Sequence, residues 1–208
     1  MGGALLKAWA ANTNHEFTVA DPADPPLPDN VAQVGSVDEL GDAMFDYLIV
    51  ALKPQLIDTV LPDYLPHLSA SGVISSIAAG YSAEKLAAHA PGRSVIRIMP
   101  NLPAFIRKGV SGLYAHGSVT ETASQDIEQL ALCSGEIVWV DSEDMLDRLT
   151  AVAGSGPGPW FWGPSRARWK WPSSPTSRWR NCATMSPARA ERRLRDSMPS
   201  MATENIQT

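Results

Sequence analysis

Short apolar runs and amphipathic segments take turns along the first three-quarters of this chain, and that alternation restricts the fold more than any other feature. Residues 15–20 alternate as a short strand carrying Phe17 and Val19, closed by Asp21-Pro22 and a proline-rich turn through Pro28. Residues 36–42 read as a short helix, because Glu39 follows Ser36 at the capping-box spacing. Residues 46–52 are almost continuously apolar, the pattern of a strand buried on both faces of a parallel sheet. Residues 54–68 are amphipathic but interrupted by Pro62 and Pro66, and residues 72–78 form the next strand. A helix over 82–89 and a strand over 94–99, stopped by Pro100, follow. Residues 110–114, 120–133, 137–140 and 144–153 continue as strand, helix, strand and helix. Ahead of them all, residues 2–11 suit a short helix with Leu5, Leu6 and Trp9 on one face and no strand before it. Such a pattern predicts an α/β fold: a doubly wound, mostly parallel sheet with helices on both faces and ligands at the carboxyl ends of its strands.

Composition separates the chain into two parts. Of its 208 residues, those up to 156 hold 8 basic and 19 acidic side chains, and the remainder holds 9 basic and 3 acidic. The second stretch also carries 7 of the 17 prolines and 5 of the 7 tryptophans without a sustained apolar period. Residues 1–156 are therefore expected to form the folded domain, and 157–208 an irregular, disordered tail. Lys, Arg and Trp are residue types that bind nucleic acid. Here Pro164, Pro172, Pro175 and Pro187 prevent the indoles from sharing one helix or strand face, so no nucleic-acid partner is expected. The richness in Arg, Pro, Ser, Ala and Trp is also what GC-rich DNA yields when read out of frame, and the tail is expected to be such a frameshift product.

Other classes are excluded more directly. The longest uninterrupted apolar run, residues 47–52, is far shorter than a membrane helix, and residues 1–14 lack a signal-peptide pattern. Cys133 and Cys182 are too few for a disulfide framework or a four-ligand zinc site, and the four histidines lack H-x-x-x-H spacing. These features lead to the expectation of a cytoplasmic, metal-free protein.

Five junctions place small or polar residues where a ligand could lie. Met1-Gly2-Gly3-Ala4 opens a helix. Asp21 ends a strand 19 residues after Gly2, where a carboxylate can accept hydrogen bonds from a ribose 2′-hydroxyl; a turn aspartate before proline is the alternative. Leu52-Lys53-Pro54-Gln55 leaves its strand sharply because Pro54 fixes the backbone. Ala78-Ala79-Gly80 ends a strand with almost no side chain, which permits close approach of a flat ring or pyrophosphate, or else tight helix packing. Asn101 lies in Met99-Pro100-Asn101-Leu102-Pro103-Ala104, held near two prolines as a turn former or as the floor of the cleft.

In order and spacing these segments resemble the pyrroline-5-carboxylate reductase family. Met1-Gly2-Gly3-Ala4 is similar to the end of its Gly-x-Gly-Asn-Met-Gly motif, with Gly2 as the third glycine. Leu52-Lys53-Pro54-Gln55 resembles its Val-Lys-Pro-Gln, Ala78-Ala79-Gly80 its Ala-Gly strand end, and residues 99–104 its Met-Pro-Asn-Thr-Pro-Ala. The stretch from Glu143-Asp144 to Gly154-Ser155-Gly156-Pro157 resembles its acidic helix start and the Gly-Ser-Gly-Pro that leads to the second domain.

The resemblance implies a Rossmann-like domain and NAD(P)H-dependent reduction of the C=N bond of 1-pyrroline-5-carboxylate to proline, the last step of proline biosynthesis. It implies cofactor contacts from Gly2, Leu52, Lys53, Pro54, Ala78, Ala79 and Gly80, and substrate-side positions at Asn101 and Glu143, while Asp21 is a cofactor candidate by its place at a strand end. It names no catalytic proton donor. Two departures accompany it. The family's first strand and first two glycines have no counterpart in this chain, and nothing after Gly158 resembles the family's dimerising helices. The expectation is therefore an N-terminally truncated relative whose homo-oligomer is doubtful and whose activity competes with a second reading, a non-catalytic fragment or weak dinucleotide-binding module. Asp21 would repel a 2′-phosphate, which favours NADH over NADPH.

Overall fold

The computed structural model of the chain describes residues 1–153. Its first element, helix α1 (Gly2–Asn12), buries Leu5, Leu6, Trp9 and Ala10, the face that the spacing predicts. Strands β1 (Phe17–Ala20) and β2 (Val31–Val34) pair in parallel as a two-stranded sheet. A five-stranded sheet follows in chain order: β3 (Phe45–Val50), β4 (Leu68–Ser76), β5 (Val95–Pro100), β6 (Gly109–His116) and β7 (Gly135–Trp139). All its neighbours are parallel except β5 and β6.

Parallel neighbours need long crossovers, and helices α2 (Pro54–Tyr64), α3 (Ala83–His89) and α4 (Glu121–Leu132) supply them. The antiparallel step from β5 to β6 needs only the 3-10 turn Leu102–Ile106. Helix α5 (Glu143–Ala153) is the last described element.

Local chemistry sets the helix ends. Pro54 occupies the start of α2, where its missing N–H leaves no acceptor short and its fixed φ suits a first turn. The Ser82 hydroxyl accepts from Lys85 N at 3.3 Å to cap α3, and Thr120 Oγ1 accepts from Ala123 N at 3.2 Å to cap α4. Ser36 departs from expectation. Its hydroxyl accepts no capping bond and donates to Glu39 Oε1, while Gly35 N donates to Glu39 Oε2, and only a single 3-10 turn, Val37–Leu40, results.

Side-chain alternation distributes the core over the two faces of the larger sheet. Ile96 and Ile98 of β5 join Val73, Leu113, Ile127 and Leu130, with Leu5 and Trp9 of α1, on one side. Val95 and Ile74 face the other way, toward Ile57, Leu61 and Leu86 of α2 and α3, and Met99 packs with Leu146 of α5. Arg97 lies between Val95 and Met99 in this second register.

Two expectations about strands need correction. Strand β2 was not foreseen, since four residues after a proline-rich turn carry no period of their own. The strand buried on both faces is β5, five of whose six residues are buried, and not β3, where only Val50 is. Among the described residues strand β3 is at the edge of its sheet, paired only with β4. No helix among the described residues is long and apolar enough to cross a membrane. The Gly154-Ser155-Gly156-Pro157 segment and the basic tail, with the expectations attached to them, lie outside the described residues.

Candidate functional site

Most of the expected cofactor residues fall at the two strand-to-helix junctions after β3 and β4, with Gly2 at the start of α1 and Asp21 in the turn after β1. A Cβ built on Gly2 would stand 3.1 Å from Ala51 Cβ and 3.9 Å from Ile77 Cδ1, so the start of α1 sits against the chain just beyond β3 and β4. A helix leaves its first amides without internal acceptors, and no side chain caps α1. Leu52 and Pro54 are half-buried and Lys53 is exposed as the N-cap of α2. Ala78 is buried, with its amide donating to Ser76 Oγ at 3.1 Å, whereas Ala79 and Gly80 are exposed and Gly80 has φ of 74°. Gly2, Leu52 and Ala78 are thus brought to neighbouring positions at the carboxyl ends of β3 and β4.

Gly80 also lines a cavity of about 360 Å³ with Ser82, Arg97, Glu143, Asp144 and Asp147. Glu143 is therefore at a cleft, but one of its oxygens is engaged: Oε1 accepts from Arg97 Nη1 at 2.6 Å and from Ala83 N at 2.8 Å. Asn101 is 3% exposed, and its Oδ1 accepts from Val110 N at 2.9 Å, bracing the turn between β5 and β6. Neither Asn101 nor Asp21 lines this cavity. Asp21 is half-buried after β1, and its Oδ1 accepts from Ala23 N at 2.9 Å, the geometry of a turn aspartate.

Sequence reasoning assigned no role to Arg97. The signal was present: a lone cation in an otherwise apolar strand, Val-Ile-Arg-Ile-Met, requires buried partners. It likewise missed a three-way contact beside the Ala78-Ala79-Gly80 loop, where Tyr81 Oη donates to Asp58 Oδ1 and lies 3.0 Å from His89 Nε2. His89 Nε2 is in turn 2.9 Å from Asp58 Oδ1. The hydrogen bond from Tyr81, then that from His89, hold the Asp58 carboxyl below its ordinary range. Burial, followed by the bond to Asp58, raises the Tyr81 phenol to about 12. Among the described residues no group of three or more His, Cys, Asp or Glu side chains is placed to hold a metal ion.

Parallel strands wound with helices on both faces, and small residues gathered at their carboxyl ends, define a Rossmann-like domain of the dehydrogenase type. A prephenate dehydrogenase from Aquifex aeolicus shares that fold, with a TM-score of 0.57 at 11% identity over 72% of this chain and 59% of its own. No protein-family model matches the sequence. Individual relatives are more specific. The chain is 39% identical over 117 residues to a pyrroline-5-carboxylate reductase of Pseudomonas aeruginosa, covering 56% of this chain and 43% of that protein. It is 32% identical over 134 residues to the Haemophilus influenzae enzyme of the same name, covering 64% and 49%. Among solved structures, the pyrroline carboxylate reductase of Plasmodium falciparum with NADP bound superposes with a TM-score of 0.62 at 25% identity, covering 78% of this chain and 61% of that one. Over the part these matches cover, the chain is similar to pyrroline-5-carboxylate reductases. It spans just under half the length of these curated relatives.

Proposed function

We propose that residues 1–156 form the dinucleotide-binding domain of a cytoplasmic pyrroline-5-carboxylate reductase, which reduces the C=N bond of 1-pyrroline-5-carboxylate to give L-proline with NADH or NADPH. The observation that carries this reading is the meeting of the α1 start with the ends of β3 and β4, where a side chain on Gly2 would crowd Ala51. The residues present fit a dinucleotide. The open amides of a helix start donate to phosphate oxygens, and Ala79 and Gly80 offer backbone without bulk. Gly2 would hold the pyrophosphate, Leu52, Lys53 and Pro54 together with Ala78, Ala79 and Gly80 the remainder of the dinucleotide, and Asp21 the adenosine ribose. When bound, the nicotinamide supplies the hydride. The chain's own residues orient it and exclude water, with Asn101 and Glu143 on the substrate side.

A second reading is binding without turnover, since the positions named above are contacts to the dinucleotide or the substrate and none is assigned as a proton donor. One pair of measurements separates the two. Titrating NADH and NADPH into the full chain while following tryptophan fluorescence reports binding, and dinucleotide oxidation with added 1-pyrroline-5-carboxylate reports turnover. Binding with turnover supports the reductase, and binding alone supports the module. No binding of either dinucleotide at millimolar concentration overturns both.

A further inference from the structure

Arg97 is 2% exposed, and a charge so deeply buried persists only with compensating partners. Its Nη1 donates to Glu143 Oε1 at 2.6 Å and stands 3.7 Å from Asp147 Oδ1, while Nη2 donates to the Ala78 carbonyl at 3.3 Å. Because the same Glu143 oxygen accepts from Ala83 N, one guanidinium joins the first turn of α5, and with it the start of α3, to the loop after β4.

Stability alone does not account for an arginine at this place. Helix α5 is already held by apolar packing, with Leu146 fully buried beside Met99 and Val140. A buried ion pair adds little net stability over apolar side chains of similar volume. What an apolar side chain cannot do is hold a carbonyl and a carboxylate at a set separation, which the rigid planar fork of arginine does.

We propose that Arg97 is a positioning residue that fixes the Ala78-Ala79-Gly80 loop relative to α5, and so sets the cavity to which Gly80 and Glu143 both contribute. Its effect on dinucleotide affinity rests on the function proposed above; the coupling of the loop to α5 does not. Two variants test it in the full chain. Arg97→Lys keeps a cation for Glu143 but replaces the fork by a single ammonium. Arg97→Met combined with Glu143→Gln removes both members of the buried pair and leaves only the Asp147 carboxylate, which is 66% exposed and solvated.

The readouts are the thermal midpoint, amide hydrogen exchange at Ala78 without ligand, and NADH and NADPH affinity. Both variants are expected to melt within a few degrees of the unaltered chain. Ala78 exchange should quicken about tenfold and dinucleotide affinity fall about tenfold, the worth of one charge-assisted hydrogen bond. Unchanged Ala78 exchange in both folded variants overturns the proposal. Loss of the fold in Arg97→Lys also overturns it, since the fork is then a structural requirement. Because exchange is read without dinucleotide, an unaltered chain that binds neither nucleotide defeats the cofactor reading and leaves the positioning result standing.

Discussion

Gly2 and Ala51 approach so closely that a Cβ on the glycine would lie 3.1 Å from that of the alanine. The contact brings the first turn of α1 against the segment leaving β3, and its tightness gives a test. Gly2→Val adds three carbons where one already crowds, and overpacking of this kind costs about 1–3 kcal/mol. Urea denaturation should register that loss, and Ala51→Gly in the same chain should recover part of it. An unchanged midpoint in Gly2→Val would mean that α1 starts elsewhere.

The docking of α5 on β6 rests on a similar absence. A Cβ on Gly112 would come within 2.5 Å of Leu146 Cδ1 and 2.7 Å of Leu149 Cδ2. Leu146→Ala should cost about 2–5 kcal/mol through the cavity it leaves, and Gly112→Val about 1–3 kcal/mol through crowding. Combined, they should cost less than their sum, because the valine fills space the leucine vacated. Strict additivity in denaturant unfolding would mean that the two positions do not touch.

The contact of Asp58, Tyr81 and His89 predicts how stability varies at both ends of the pH scale. The Asp58 carboxyl is held below its ordinary 3.8, chiefly by the hydrogen bond from Tyr81 and then by that from His89. Its contribution is therefore present above that ordinary value and lost as pH falls through the lower folded-state value. Tyr81, raised to about 12, acts in the opposite sense: the folded state keeps a phenol proton that the unfolded chain releases near 10, so stability falls as pH rises between the two. Thermal melting across pH should find a flatter acid limb in Asp58→Asn and a flatter alkaline limb in Tyr81→Phe. Identical profiles in the variants and the parent would contradict the contact.

Period and punctuation in the sequence located most of the elements because they act locally. Ser82 and Thr120 cap the helices they precede, Pro54 opens α2, and Leu5, Leu6 and Trp9 lie on the buried face of α1. What local pattern could not convey was pairing. Among the described residues strand β2 pairs with β1 alone, and β3 reads as a central strand but lies at the edge of its sheet. The site divided in the same manner. Small residues at a helix start and a strand end singled out Gly2 and Ala78-Ala79-Gly80, whereas the bonds that tie Asn101 to Val110, and Glu143 to Arg97 and Ala83, join segments distant in sequence. Arg97 depends most on such distant partners, being an incongruous charge in its own strand until α5 supplies Glu143.

Asp21 distinguishes two roles that one side chain can fill. Its Oδ1 accepts from Ala23 N at 2.9 Å, which is sufficient for a turn. Under the proposed function its charge also meets the ribose, where a 2′-phosphate would be repelled. Asp21→Ser keeps a turn-forming oxygen and removes the charge. The ratio of NADPH to NADH affinity should then rise about fivefold at low salt, the effect of one partly solvated pair of like charges. Salt gives the decisive comparison, since an electrostatic preference shrinks as ionic strength rises and the Debye length shortens, whereas a turn hydrogen bond is insensitive to it. A ratio that shifts at low salt and converges with the parent at high salt assigns Asp21 to cofactor selection. A ratio unmoved at either salt assigns it to the turn alone.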